Sequence, residues 1–264
     1  MIPHTRRTMI TEERQTIIKA ELLEKKSISV AELAQRYDVS FETIRRDIKE
    51  LEKEGIAKKI YGGAVLAERA AGDFRFSDLA NIMVDTKQKM AQTAAQAIRR
   101  SDCIYIDFST TCGQMADIIG AMNSPVNVMT SSLDVMAKLE DKSHVSLISV
   151  GGEWDTENRA FMGTTSVQTL HMYHLDKAFI SCRAISMAHG LSDKSGAESE
   201  LRKAIIESAN QVFLVVDHTK FDRMAFVKTA GFEKISAVIT DEEPSAEWKH
   251  FFKERDIELC WTND

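Results

Sequence analysis

From residue 103 to residue 261 the chain repeats one pattern seven times: a run of four to seven mainly apolar residues, then a stretch that is polar or helically spaced. The runs occupy 103–108, 126–130, 145–150, 177–182, 211–217, 237–240 and 257–261. Runs that short are strands, and strands alternating with helices assemble into a mostly parallel sheet covered on both faces. Upstream, residues 85–99 have helical spacing with Met90, Ala94, Ala97 and Ile98 turned inward. The expected fold of this body is α/β, and ligands of such sheets lie beyond the carboxyl ends of the strands.

Polar residues gather at those ends. The first run leads into Asp107, Ser109, Thr110 and Thr111 ahead of a helix, where small hydroxyls and free N–H groups suit an anion. The second ends in Thr130, Ser131 and Ser132, and the third in Gly151 and Gly152, where the backbone can approach a ligand closely. Arg183 follows the fourth run, ahead of Gly190-Leu191-Ser192 and a helix that starts near Glu198. Asp217-His218-Thr219-Lys220 puts a carboxylate and an ammonium on one loop. Taken singly, such residues are ordinary turn chemistry. Converging on one sheet edge, they form a candidate pocket for a phosphate and several hydroxyls.

The first 66 residues read differently. Residues 11–26 are rich in helix formers, with Ile17, Ile18, Leu22 and Leu23 at helical spacing. Ser29-Val30-Ala31-Glu32 has the spacing of a capping box, and Val30, Leu33, Ala34 and Tyr37 then share one face. Ser40 is a second N-cap only a few residues later, which is helix-turn-helix spacing. On the second helix Ile44, Ile48 and Leu51 point inward, while Glu42, Arg45, Arg46 and Lys49 lie opposite and Thr43 sits at the margin. After Gly55, residues 56–66 read as two strands around Gly62-Gly63, a basic wing carrying Lys58, Lys59 and Tyr61. Asp47 falls at the buried edge of the second helix, where its charge would repel phosphate, so it is expected to hold a structural partner such as an arginine. Most charged helix faces are simply solvated; here the caps, inward stripe, short turn and basic hairpin coincide, and Ser40, Phe41, Glu42, Thr43, Arg45, Arg46, Lys49, Lys58, Lys59 and Tyr61 become candidates for DNA contact.

Bulk composition agrees. The chain has 264 residues and a net charge of −6, but residues 1–66 carry 13 Lys and Arg against 11 Asp and Glu, so the acidity lies in the body. No apolar run approaches the roughly 18 residues of a membrane span, and the N-terminus lacks a signal-peptide core, so a cytoplasmic location is expected. Cys103, Cys112, Cys182 and Cys260 form no C-x-x-C pair and have no histidines at zinc spacing. Buried, reduced thiols are expected, with no metal and no cofactor.

The segment Val39-Ser40-Phe41-Glu42-Thr43-Ile44-Arg45-Arg46-Asp47-Ile48, followed by Leu51-Glu52, Gly55 and Tyr61-Gly62-Gly63-Ala64, closely resembles the DNA-binding head of DeoR-type bacterial regulators. In the body Asp107, Thr110 and Thr111, the Gly151-Gly152 pair with Gly163, Asp176-Lys177-Ala178-Phe179, Glu198 with Lys203, Asp217-His218-Thr219-Lys220-Phe221 and Thr240-Asp241 are similar to that family's sensor domain. The resemblance implies a helix-turn-helix at 28–47 within a winged head at 1–66, a linker at 67–76, and an effector-sensing, oligomerising domain at 77–264. It further implies a body fold like that of ribose-5-phosphate isomerase and the CoA-transferases. The implied function is a repressor of a carbohydrate catabolic operon, a dimer or tetramer on duplex operator DNA, relieved by a phosphorylated sugar. Two departures are Ser109 after bulky Phe108, where many relatives have glycine before Thr-Thr, and Arg183, where a small or amide residue is usual. The competing reading is a sugar-phosphate isomerase-like enzyme with Asp107, Asp217 or Glu198 as base and Lys220 as electrophile.

Overall fold

The computed structural model describes residues 11–67 and 76–262, so most of the expected linker lies outside the described residues. The chain divides into two compact units, Met1–Val84 and Asp85–Asp264. Among the described residues no helix is long and apolar enough to cross a membrane.

The first unit contains α1 (Thr11–Lys25), β1 (Ser27–Ser29), α2 (Val30–Tyr37), α3 (Phe41–Lys53), β2 (Ala57–Ile60), β3 (Gly63–Leu66) and α4 (Phe76–Ala80). Ile44, Ile48 and Leu51 of α3 are fully buried against Ile18, Leu22 and Leu33. Ser40 caps α3 by accepting the Thr43 N–H at 3.1 Å, and left-handed Asp38 (φ 53°) closes α2. Ser29 stands at the N-cap of α2 but its hydroxyl makes no capping bond. Its residue is drawn instead into β1, which pairs antiparallel with β3, and the Val30 N–H is bonded to the Gly62 carbonyl at 2.9 Å. The expected capping bond of the Ser29 hydroxyl is thus absent, and a carbonyl from the wing satisfies the Val30 N–H instead.

The wing turns on Tyr61-Gly62, with Gly62 at φ 82°, while Gly63 already pairs with Ile60. Glycine is required at 63 because a Cβ there would collide with the Ile28 carbonyl of β1. A further departure concerns residues 77–83, which the sequence reading assigns to the body. Lys19 Nζ lies 2.8 Å from Asp78 Oδ2, and Leu79, Ile82 and Met83 join the hydrophobic core of the head.

The second unit runs α5 (Val84–Ala95, its first residue in the head unit), β4 (Cys103–Ile106), α6 (Met115–Gly120), β5 (Val126–Thr130), α7 (Leu133–Leu139), β6 (Val145–Ser149), β7 (Glu153–Asp155), β8 (Ala160–Met162), α8 (Thr164–Leu170), β9 (Leu175–Ile180), β10 (Ala184–Ser186), β11 (Gly190–Asp193), α9 (Gly196–Ser208), β12 (Ala209–Val215), β13 (Val227–Ala230), β14 (Ala237–Thr240), α10 (Ala246–Lys253) and β15 (Glu258–Trp261). Seven of these strands form one parallel sheet in the order β15-β14-β12-β9-β4-β5-β6. Alternation along each strand divides the core between the two faces. Tyr105, Ala178, Ile180 and Leu214 pack with α8, α9 and α10, whereas Ile104, Ile106, Phe179 and Phe213 pack with α5, α6 and α7. Chain direction across the sheet reverses between β4 and β9, which makes their carboxyl ends the crevice where a ligand is expected. The β7–β8 hairpin and the antiparallel sheet β10-β11-β13 were not legible in the sequence. Gly190, read there as a loop residue, opens β11 and lies where a Cβ would strike the Ala230 carbonyl.

Candidate nucleic-acid interface and anion site

On the head, the outward face of α3 and the wing enclose an open groove of about 580 Å³ lined by Arg45, Arg46, Lys49 and Lys59, with Glu42 and Glu50. Phe41 at the start of α3 is 55% exposed, and Tyr61 at the wing tip stands fully in solvent. Arg45 Nη1 lies 3.7 Å from Glu42, and the Lys59 Nζ lies 3.2 Å from Glu52, which also accepts the Lys59 N–H. The hydrogen bonds from Lys59 lower the Glu52 pKa. Thr43 shares a 2.9 Å hydrogen bond with Ser40 and so belongs to the cap of α3. Lys58 alternates to the other face of β2 from Lys59 and does not line the groove. Asp47 turns inward, as expected, accepting from Arg14 Nε at 2.6 Å and Gln15 Nε2 at 3.0 Å.

In the body, burial separates the expected effector residues into two groups. Asp107 is completely buried: it accepts the Ser181 N–H at 3.1 Å, tying β4 to β9, and pairs with Arg202 Nη2 at 3.1 Å. Arg202 Nη1 lies 2.5 Å from Asp193, and the guanidinium stacks over Phe108. Burial raises the Asp107 pKa against the pull of Arg202. Burial also opposes the charge of Arg202, but Asp107, Asp193 and Glu198 outweigh it and hold that pKa well above its ordinary value. Glu198 is buried as well and accepts from Asn158 Nδ2 at 3.1 Å. These groups are buried and paired within the chain.

Others serve the architecture. The Thr130 hydroxyl donates to the Ile106 carbonyl at 2.8 Å, Ser132 caps α7 through the Val135 N–H, and Ser131 is fully buried. Gly151 accepts from the Ser166 hydroxyl at 2.5 Å, and the space beside Gly152 is filled by Ser166 and the Met162 carbonyl. At Gly152 the close approach is made by the chain itself, whereas the space beside Gly151 is open. Thr111 is buried, and the Ser109 hydroxyl accepts the Cys112 N–H at 3.1 Å.

The remaining group comes together around a residue that sequence reasoning missed. Lys87 of α5 is buried, and its Nζ donates to Thr110 Oγ1 at 3.0 Å. Burial lowers its pKa to about 8; Asp217 pulls it up, while Lys220 and Arg183 push it further down. Asp217 accepts from the Thr219 N–H at 2.9 Å and from its hydroxyl, with Lys220 Nζ 3.8 Å away. Burial opposes the charge of Asp217, but Lys220, Thr219 and Lys87 together lower its pKa. A signal for Lys87 was present: it occupies the inward stripe with Met90, Ala91 and Ala94, where a lysine is out of place.

The neighbouring His218 takes its Nδ1 to Asp241 at 2.7 Å, and that hydrogen bond raises the histidine pKa. All four cysteines are free; Cys112 and Cys182 are buried, whereas Cys103 and Cys260 are only partly so, and burial pushes every one of these thiols up, away from the reactive thiolate.

Residues 14–70 match the family model of the DeoR-like helix-turn-helix domain, and residues 82–242 that of the DeoR C-terminal sensor domain. The HTH-type transcriptional regulator YulB of Bacillus subtilis is 33% identical over 88% of this chain and 90% of its own length. The HTH-type transcriptional repressor GlcR of the same organism is 28% identical over 96% and 97%. Among solved structures, a ribose-5-phosphate isomerase from Methanocaldococcus jannaschii gives a TM-score of 0.40 at 16% identity, covering 53% of this chain and 55% of that one.

Proposed function

The chain belongs to the DeoR family of helix-turn-helix transcriptional regulators, and on that premise we propose that it represses a carbohydrate catabolic operon in the cytoplasm until a phosphorylated sugar binds its body. The DNA-reading surface is α3 with the wing: Arg45, Arg46, Lys49 and Lys59 in the groove, Ser40, Phe41, Glu42 and Thr43 at the start of the helix, Lys58 and Tyr61 beside it. The effector surface is Thr110, Ser109, Arg183, Asp217 and Lys220, braced by Asp107 and Glu198. The domain boundary falls after Val84, and the body supplies the contacts of a homo-oligomer whose heads occupy half-sites about 34 Å apart or a multiple of that. The observation that carries this reading is the cation-lined groove between α3 and the wing, whose charge suits a phosphodiester backbone.

Arg46→Ala tests it. Each lost phosphate contact removes about 0.9 from the log–log slope of affinity against salt. With a duplex selected by the wild-type protein from a random pool, the variant binds more weakly and with a shallower slope. Wild-type affinity and slope in the variant would mean that α3 does not meet DNA.

An isomerase needs a base open to substrate. Asp107 and Glu198 are buried and engaged, and Asp217 is held by Thr219, which favours the regulator over the isomerase.

A further inference from the structure

Lys87 and Lys220 act on one carboxylate, Asp217, beyond the carboxyl ends of β9 and β12, and Arg183 lies within electrostatic reach of Lys87. Three cations against one anion leave these four groups with two positive charges in excess, the complement of a phosphoryl dianion. A lysine 96% removed from solvent costs desolvation that a methionine at the same place in the stripe would not, so the charge itself must serve something. Its position is equally particular. Lys87 lies three residues beyond Val84, where the head unit ends, and α5 begins with Val84 and continues into the body. Immediately before it, Ile82 and Met83 belong to the head core, with Met83 in the left-handed region at φ 51°.

We propose that Lys87 is both a phosphoryl ligand and the residue through which effector occupancy reaches the head: with no effector its ammonium is held by Thr110, and a bound phosphoryl group draws it away and resets the first turn of α5. This rests on the reading that the body takes a phosphorylated ligand. The two arrangements differ in a charge-assisted contact, as any effector that shifts an equilibrium requires. The groups facing Lys87 are Thr110 from the loop after β4, Asp217 and Lys220 from the turn after β12, and Arg183 from the segment after β9.

A pH signature follows. Above about 8 the free protein loses the Lys87 proton, while the complex, with a dianion beside the ammonium, keeps it. Binding then takes up a proton, so affinity falls as pH rises, by up to about tenfold per pH unit. A phosphate monoester is already dianionic there, its second pKa being about 6.

The test is calorimetry of the full-length protein at pH 7.5 to 9.5 with inorganic phosphate, ribose 5-phosphate, glucose 6-phosphate, fructose 6-phosphate and fructose 1-phosphate, together with release of the selected duplex. Lys87→Met should weaken the binding probe at least tenfold at pH 7.5. Even at saturating probe it should release less of the duplex than wild type, each variant being referred to its own duplex affinity without probe. Lys87→Arg, which keeps the charge but titrates far above this range, should bind with a flat pH profile. Unchanged affinity and an unchanged pH slope in both variants, with Lys220→Ala weakened, would overturn the role of Lys87 and leave the phosphate site standing. Full release of the duplex from saturated Lys87→Met would overturn the coupling to the head. Failure of every probe to bind the wild type would remove the site and this inference together.

Discussion

Asp47→Ala is expected to unfold the head and leave the body folded. The carboxylate is 1% exposed and carries Arg14 and Gln15 on its two oxygens, so its removal leaves the Arg14 guanidinium buried without its anion. Breaking a buried pair from one side costs about 3–5 kcal/mol, a large part of the stability of so small a unit, which is on the order of 0.05–0.15 kcal/mol per residue. Hydrogen exchange should become fast throughout α1, α2 and α3 while β4 and β9 remain protected, and binding of the selected duplex should disappear. Removing both charges in Arg14→Met/Asp47→Leu should restore most of the protection, because the penalty comes from the orphaned charge. Slow exchange in α3 of the single variant would show that the pair contributes little.

The second large effect is expected in the body. Arg202 is the cation paired with both buried Asp107 and buried Asp193, so Arg202→Met leaves two carboxylates without that charge in the interior. A loss of about 3–5 kcal/mol lowers the melting temperature of a domain this size by roughly 6–20 °C. The effect depends on pH in a definite direction. Without the guanidinium the folded-state pKa of Asp107, already raised by burial, rises further above its unfolded value, so the folded variant binds more protons than the unfolded chain. Its stability then falls as pH rises through the normal carboxylate range and recovers on acidification. The gap between wild type and variant is therefore widest near pH 8 and narrows toward pH 5. Equal gaps at both pH values would mean that the loss comes from packing over Phe108 and not from charge.

Legibility in the sequence followed the range of the interactions. All seven parallel strands were visible because each is a continuous apolar run in a sheet buried on both sides, and α3 because its stripe repeats over three turns. An inward position made a charged partner for Asp47 foreseeable, though not which arginine would come from 33 residues away. β1, β7, β8 and β10 have three residues each, too few for alternation to register, and exist through pairings made elsewhere in the chain. Ser29 makes no side-chain cap and is instead paired with distant Gly63 in the β1–β3 ladder. At the crevice, position along the chain pointed to Asp107, Thr130 and Glu198 but said nothing of depth, and all three are buried. Depth separates buried, internally paired residues from accessible ones, and it also hid Lys87, which a search for apolar periodicity passes over.

The packing of α4 and residues 82–83 against the head fixes where this protein can be cut and rejoined. A chimera that exchanges sensing bodies at residue 66, where the wing ends, would carry Leu79, Ile82 and Met83 away from the core they complete and strand Lys19 without Asp78. A seam placed after Val84 transplants the head with its interior whole, and makes the first turn of α5 the natural place to splice a new input onto an old address.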